Sequence, residues 1–393
     1  MQNSSLFLKK QCDRRIKRGH LWIYSNEVDT NRSPLKAFSN GEQVIVQSAQ
    51  GTTLGTALME PHELICGRLL DREINIQLDT DFFIHKISNA LKLRELNFAS
   101  PFYRLVYGDS DLLPGVIIDR FDDYYVIQFT LSGMAYQQDT LIAALESIVK
   151  PKGIAIHYLI SETKSPMVLG ELPDTIYVEE NSCRFSISPL HGQKTGWFYD
   201  HRVNRKQLQQ FVAGKSVLDV FSYVGAWGLQ SAVAGARSVT CVDSSQPALD
   251  CVIENANLNN CDQRVDTIRG RAVEVLKALA NERKKFDIVV LDPPAFIKKR
   301  KDQKAGEAAY RHINELALQL LENYGVLVSA SCSMPLTNDT LTEIIRGASL
   351  HRNRHAQLFY LGSQGPDHPV HPAIPETRYL KAQFYFVVNN KPF

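Results

Sequence analysis

Between about Asn40 and Ile76 short apolar runs, EQVIVQ, TTLGTALM and ICGRLL, are broken by Gly41, Gly51, Gly55 and Pro61, which predicts a small β-rich module. From Asp81 the segment FFIHKISNALKLRELNF places apolar residues at helical spacing. YRLVYGDSDLLPGVIIDRFDDYYVIQFT then reads as a hairpin, so an α+β unit is expected to about Ser188. Beyond Pro189 the pattern changes to buried strands alternating with amphipathic helices: VLDVF, VTCVD, VDTIRG, FDIVVLDP and GVLVSASCS. Continuous apolar strands joined by helices predict a parallel sheet covered on both faces, and right-handed crossovers wind it doubly. The helix TNDTLTEIIRGASL follows, then AQLFYL and KAQFYFVV, two runs expected to pair antiparallel at the sheet edge. The fold class is therefore α/β. A Rossmann-like doubly wound sheet over 189–393 is preceded by a β-rich domain over 1–76 and a central α+β domain over 77–188.

Composition narrows this little. The 393 residues are 44% hydrophobic and 22% charged, an ordinary globular balance, and a net charge of +2 does not by itself advertise nucleic acid. Local charge is more telling. The run KKQCDRRIKRGHLWIY mixes Lys9, Lys10, Arg14, Arg15, Lys17 and Arg18 with Trp22 and Tyr24, a pattern that suits an RNA backbone or a plain solvated face. No stretch approaches the roughly 18 apolar residues of a bilayer span, and the first residues lack an apolar signal core, so no membrane partner and a cytoplasmic location are expected. Seven scattered cysteines without a CxxC pair or a Cys/His cluster argue against disulfides and against a metal site.

Candidate chemistry lies at the strand ends of the last domain. In LDVFSYVGAWG, Gly225 and Gly228 permit either a close approach to a ligand or tight helix packing. Asp243 ends the second strand, where a carboxylate can accept hydrogen bonds from ribose hydroxyls; an N-cap from Asp243, Ser244 or Ser245 is the competing role. The full GxGxxG fingerprint for a pyrophosphate is absent, and Asp219 puts a negative charge where phosphate would be repelled but a sulfonium or amino group attracted. A nucleoside cofactor without phosphates, S-adenosyl-L-methionine, is favoured over NAD.

After the fourth strand comes LDPPAFIKKRK. The prolines remove two N–H donors and leave the Asp292 carboxylate and backbone carbonyls for a flat polar base, beside the cations Lys298, Lys299, Arg300 and Lys301. The fifth strand ends in SASCSMP, which brings Cys332 to the same edge as Asp292 and Asp219. Most lone cysteines fill cores, as Cys241, Cys251 and Cys261 are expected to do. Cys332 differs by its strand-end place among Ser329, Ala330, Ser331 and Ser333. A thiolate there has a definite use, because carbon 5 of a pyrimidine is too weakly nucleophilic to take a sulfonium methyl unaided. Addition of sulfur to carbon 6 makes an enamine, carbon 5 is methylated, and loss of its proton expels the enzyme. Asp292, ionised or protonated, would bond ring nitrogen 3 and the exocyclic amine of a single-stranded or flipped cytosine.

These motifs together resemble the bacterial 23S ribosomal RNA cytosine-5 methyltransferases, with a PUA domain, a central α/β domain and a class I methyltransferase domain. The resemblance rests on RRIKRGHLWIYSNEV, YRLVYGDSDLLPGVIIDRFDDY, QKTGWFYDHRVNR, LDVFSYVGAWG, LDPPAF, SCS and GPDHPVHPAIPETRYLK, which span nearly the whole chain. It implies that Phe198, Asp200, Arg202, Asp219, Tyr223, Gly225, Asp243 and Asp292 serve the cofactor and that Cys332 is the nucleophile. It also implies a PUA domain that grips ribosomal RNA through the basic N-terminal run. Two departures stand out. Ala295 occupies the place where other RNA cytosine-5 methyltransferases carry a second cysteine, so the carbon-5 proton needs another base. Gly270 and Arg271 follow the third strand where many methyltransferases have an acid for the adenine amine.

A guanine-N2 or other amino-directed RNA methyltransferase, with Cys332 a bystander, is the nearest rival. A non-catalytic RNA-binding protein on a methyltransferase fold is the rival from another class. The oligomeric state is open, a homodimer included.

Overall fold

The computed structural model describes residues 4–74, 76–160, 165–192 and 194–390; Gln193, which opens the QKTGWFYDHRVNR segment, lies outside them. The chain divides into two compact units that do not follow chain order. One takes the chain to Ile176 together with 188–197 and 366–377; the other takes Tyr177–Ile187, Phe198–Gly365 and the chain from Arg378.

In the first unit, β1 (Ser4–Phe7), β2 (Trp22–Tyr24), β3 (Gln43–Gln47), β4 (Thr53–Met59) and β5 (Ile65–Asp71) form a sheet in the order β1-β3-β4-β5-β2, with the short helix α1 (Asp13–Lys17) between β1 and β2. Alternate residues such as Val44 and Val46 face its core, as period-two burial requires. The helix α2 (Thr80–Asn97) starts where the Asp79 side chain accepts the Phe82 N–H at 2.9 Å. A second sheet, β10-β9-β8-β7-β6, uses β6 (Phe102–Tyr107), β7 (Val116–Phe121), β8 (Tyr124–Phe129), β9 (Gly153–Tyr158) and β10 (Met167–Gly170). The expected hairpin is thus a three-stranded meander, because Asp122 turns the chain in the left-handed region at φ 60°. Helices α3 (Ser132–Ala135) and α4 (Gln138–Val149) cross over to make β8 and β9 parallel.

The excursion 366–377 belongs to this unit through buried charge. Fully buried Arg94 meets both Asp111 oxygens at 2.6 Å and donates to the Asp367 carbonyl at 2.9 Å, while the Asp367 carboxylate accepts the Arg104 N–H at 3.1 Å.

The second unit contains the hairpin β11 (Ile176–Glu180) and β12 (Cys183–Ile187), then α5 (Arg202–Leu208), β13 (Ser216–Val220), α6 (Ala226–Val233), β14 (Ser238–Asp243), α7 (Gln246–Leu258), β15 (Val265–Arg269), α8 (Ala272–Asn281), β16 (Phe286–Leu291), α9 (Gln303–Leu320), β17 (Leu321–Ser331), α10 (Asn338–His351), β18 (Arg354–Gly362) and β19 (Lys381–Asn389). The sheet order is β15-β14-β13-β16-β17-β19-β18. β13 to β17 run parallel, and β19 lies antiparallel between β17 and β18. Every residue of β13 is buried, as a strand covered on both faces must be. The antiparallel pair closing the sheet is the one its apolar runs predict.

The hairpin Tyr177–Ile187 lies ahead of the boundary expected near Pro189, yet it packs with the second unit. Asn255 of α7 accepts the Ser186 N–H at 2.6 Å, and Asn259 accepts the Arg184 N–H at 2.9 Å. Glu180, at the end of β11, takes Arg205 at 2.6 Å, Arg202 at 3.4 Å and Gln230 at 2.8 Å. Burial pushes this carboxyl up, but Arg205 and Arg202 outweigh it and hold the group below its ordinary value. Glu180→Gln would remove the Glu180 charge from two buried guanidinium groups. Urea unfolding should show a loss of about 3–5 kcal/mol; a change below about 1 kcal/mol would mean that water or other groups already compensate them.

Candidate active site

The turn between β13 and α6 adopts a conformation that most side chains avoid. Phe221, Tyr223 and Gly225 all have positive φ, at 67°, 49° and 85°, in alternation. Strain of this kind persists only where surrounding bonds over-determine it. Here the Phe221 and Ser222 N–H groups share the Val242 carbonyl, and the Tyr223 N–H donates to Asp243 Oδ2 at 3.0 Å. Gly225 supplies the left-handed residue that caps α6. Gly228 takes the packing role: a Cβ there would stand 2.7 Å from the Cys241 sulfur and 3.1 Å from Asp219 Oδ2.

Asp219 lies within β13, fully buried beneath the start of α6, where its Oδ2 accepts the Gly228 N–H at 2.8 Å and its Oδ1 has no hydrogen-bond partner. Burial pushes its carboxyl up to about 7, with Asp292 and Asp243 adding to the rise against the Gly228 N–H. A cation beside it would favour its ionised form. Asp243 ends β14 and accepts from Tyr223 and Ser245 N–H groups, one on each oxygen. The helix cap falls to Ser245, whose side chain accepts the Ala248 N–H, so Asp243 keeps further lone pairs for a ligand. Three carboxyl groups around an orphaned oxygen suit a cationic, phosphate-free nucleoside and would repel a pyrophosphate.

Asp292 follows β16. Trp227 donates its indole N–H to Oδ2 at 3.0 Å, and His201 Nε2 lies 3.3 Å from Oδ1. Burial pushes the Asp292 carboxyl up, but His201 and Trp227 outweigh it and hold the group below its usual value. The same pair raises His201: burial alone would lower it, and the Asp292 charge reverses that. With its carboxyl held below the ordinary range, Asp292 is placed to accept hydrogen bonds. The sequence reading missed His201 and Trp227, although both lie inside its quoted motifs; nothing local says that a histidine in YDHR will reach an acid 91 positions later.

Phe198 meets the Tyr223 ring edge-on at 5.6 Å. The Asp200 carboxylate accepts the Tyr379 hydroxyl at 2.5 Å, and its carbonyl accepts the Gly365 N–H. Arg202 faces Glu180 and stacks over Tyr199 at 4.7 Å, where it anchors the segment. Exposed Arg271 pairs loosely with Glu274 at 3.7 Å.

Cys332 lies one residue past β17 and is half-buried. Its neighbours Ser331 and Ser333 are buried, and the Tyr310 hydroxyl of α9 bonds them at 2.8 and 2.9 Å. Ser333 Oγ also accepts the Ile297 N–H at 3.1 Å, which ties the SCS turn to the loop after DPP. These bonds fix the backbone on both sides of the thiol.

Of the basic residues, Lys10, Arg14, Lys17, Arg18, Lys298, Lys299 and Arg300 are exposed. Lys9 is exposed but donates to the Asn26 carbonyl at 2.9 Å, and Lys17 pairs with Asp13 at 2.5 Å. Arg15 is half-buried and donates to Glu27 at 2.8 Å and to the Trp22 carbonyl at 3.3 Å. Among the described residues no helix is long and apolar enough to cross a membrane, and no cluster of His, Cys, Asp and Glu could hold a metal ion.

The His201–Asp292 pair has a titration signature. A folded midpoint above the ordinary 6.5 means that its contribution to stability is complete below pH 6.5 and fades as pH rises through the folded value. NMR titration should place His201 above 6.5, and Asp292→Asn should lower it by at least about one unit as burial takes over. An unmoved midpoint would show that Asp292 does not set the charge of His201.

Residues 6–72 match the model of a PUA-like domain, and residues 137–357 match that of an S-adenosylmethionine-dependent methyltransferase. The chain is 32% identical over 388 residues to ribosomal RNA large subunit methyltransferase I of Shigella dysenteriae, covering 96% of this chain and 97% of that protein. With the protein of the same name from Serratia proteamaculans it shares 34% over 393 residues, with the same coverage. In fold it is similar to a Streptococcus mutans protein described as a SAM-dependent methyltransferase, with a TM-score of 0.85, 21% identity, and coverage of 98% of this chain and 100% of that one. The chain therefore belongs to the S-adenosylmethionine-dependent methyltransferases, in the family of ribosomal RNA large subunit methyltransferase I.

Proposed function

We propose that this protein methylates carbon 5 of a cytosine in large-subunit ribosomal RNA, in the cytoplasm, through a covalent adduct with Cys332. The observation that carries the reading is the half-buried thiol at the end of β17, held by Tyr310 and tied to the loop that bears Asp292. The names of the relatives support the RNA substrate.

When bound, S-adenosylmethionine supplies an electrophilic methyl on a sulfonium centre. Asp243 would hold the ribose hydroxyls, the strained turn at Tyr223 and Gly225 would admit the cofactor backbone, and Phe198 and Asp200 would close the crevice. Asp219 and Asp292 would face its cationic end. The Cys332 thiolate forms a bond to carbon 6 of the base, and the π electrons of the ring then make carbon 5 nucleophilic. Asp292, kept ionised by His201 and Trp227, accepts a hydrogen bond from the exocyclic amine of cytosine. Loss of the carbon-5 proton to a base restores the ring double bond as the sulfur–carbon bond breaks. Lys10, Arg14, Lys17 and Arg18 of the PUA-like module, with Lys298, Lys299 and Arg300, would meet phosphates. Module limits of 1–76, 77–188 and 189–393 serve this division of labour, with the hairpin ahead of the last boundary working for the catalytic unit.

An amino-directed methyltransferase would use the same carboxylate but would not need sulfur. Cys332→Ala should reduce formation of 5-methylcytosine in ribosomal RNA, read by nucleoside mass spectrometry, by at least about 1000-fold while calorimetry still shows cofactor binding. Unchanged 5-methylcytosine in that variant would eliminate the covalent mechanism.

A further inference from the structure

Lys381 opens β19 and is 5% exposed, although lysine is among the residues least often buried. Antiparallel pairing sets Lys381 opposite Ser331, one residue before Cys332. Its Nζ donates to the Ser333 carbonyl, one residue after Cys332, and to the Tyr379 carbonyl, both at 2.6 Å. The lysine thus spans the backbone that carries the thiol, from the register partner on one side to a hydrogen bond on the other. Both contacts go to carbonyl oxygens, which orient a cation without neutralising it.

We propose that Lys381 is a positioning residue for the reaction, whose ammonium, held between the Ser333 and Tyr379 carbonyls, pairs with the Cys332 thiolate and keeps it ready for attack. This rests on the reading of Cys332 as the nucleophile. The proton balance is simple: the thiol proton passes to the amine, so that Cys–SH and Lys–NH2 become thiolate and ammonium, and no other bond changes. The same ammonium stabilises the thiolate when it leaves carbon 6. Because it stays charged throughout, it is not the base that takes the carbon-5 proton. Burial outweighs the opposing pull of Cys332 and brings the Lys381 amine down to about 8. Among the described residues, titratable groups near the pair include Tyr310 of α9, bonded to Ser331 and Ser333, and Tyr379, whose hydroxyl donates to Asp200.

Alkylation of Cys332 by iodoacetamide in the full chain, followed across pH by mass spectrometry of the peptide that carries it, reads the thiolate population. Lys381→Gln is expected to slow alkylation at pH 7 about tenfold and to move the pH midpoint up by about one unit. An alkylation profile identical to wild type overturns the pairing. Should Lys381→Gln fail to fold, nitrogen-15 NMR of the lysine amines in the wild-type and Cys332→Ser proteins asks the same question in reverse. Loss of the thiolate should lower the Lys381 midpoint, and equal midpoints overturn the proposal. Neither readout requires methyl transfer. A Cys332→Ala protein that still makes 5-methylcytosine therefore defeats the nucleophile reading alone, and matching alkylation profiles defeat the pairing alone.

Discussion

Parallel pairing of β13 to β17 is the constraint on which the site depends. Strands that run the same way present all their C-terminal ends on one edge, so Asp243 after β14's valines, Asp292 after β16 and Cys332 after β17 come together although up to 89 residues separate them. The same convergence creates a difficulty, since the buried Asp219 feels the charges of the half-buried Asp243 and Asp292. Each is relieved in a different way. Asp219 has its carboxyl pushed up to about 7, Asp243 accepts two backbone N–H groups, and Asp292 faces the His201 ring and accepts the Trp227 indole N–H.

The reacting half has the opposite character. Cys332 stands among serines held by Tyr310, and the charge that reaches it comes from Lys381 on the strand inserted antiparallel between β17 and β18. A plain dinucleotide-binding sheet has no such strand. Its insertion brings Lys381 to the backbone on either side of Cys332, while the parallel strands end in acids, so the two halves of the edge differ in charge.

Much of this was legible before any coordinates. Unbroken apolar runs such as FDIVVL marked the buried strands, and polar residues at the ends of those runs marked Asp243, Asp292 and Cys332. A glycine before a helix marked the turn at Gly225. These features are local: hydrophobic periodicity and backbone preference act over a few residues, and a strand's end is visible wherever its apolar run stops.

The amino-acid sequence by itself thus determined the elements, the fold class and which side chains sit at the crowded edge. Only the tertiary structure decided what those side chains meet: that His201 and Trp227 hold Asp292 ionised, that Arg15 faces Glu27, that the hairpin ahead of Pro189 joins the catalytic unit, and that Lys381 lies across the backbone of Cys332. The reason is physical. Charge state and hydrogen-bond partner depend on burial and on register between strands far apart in the chain, and neither quantity is written in the residues that flank a given position.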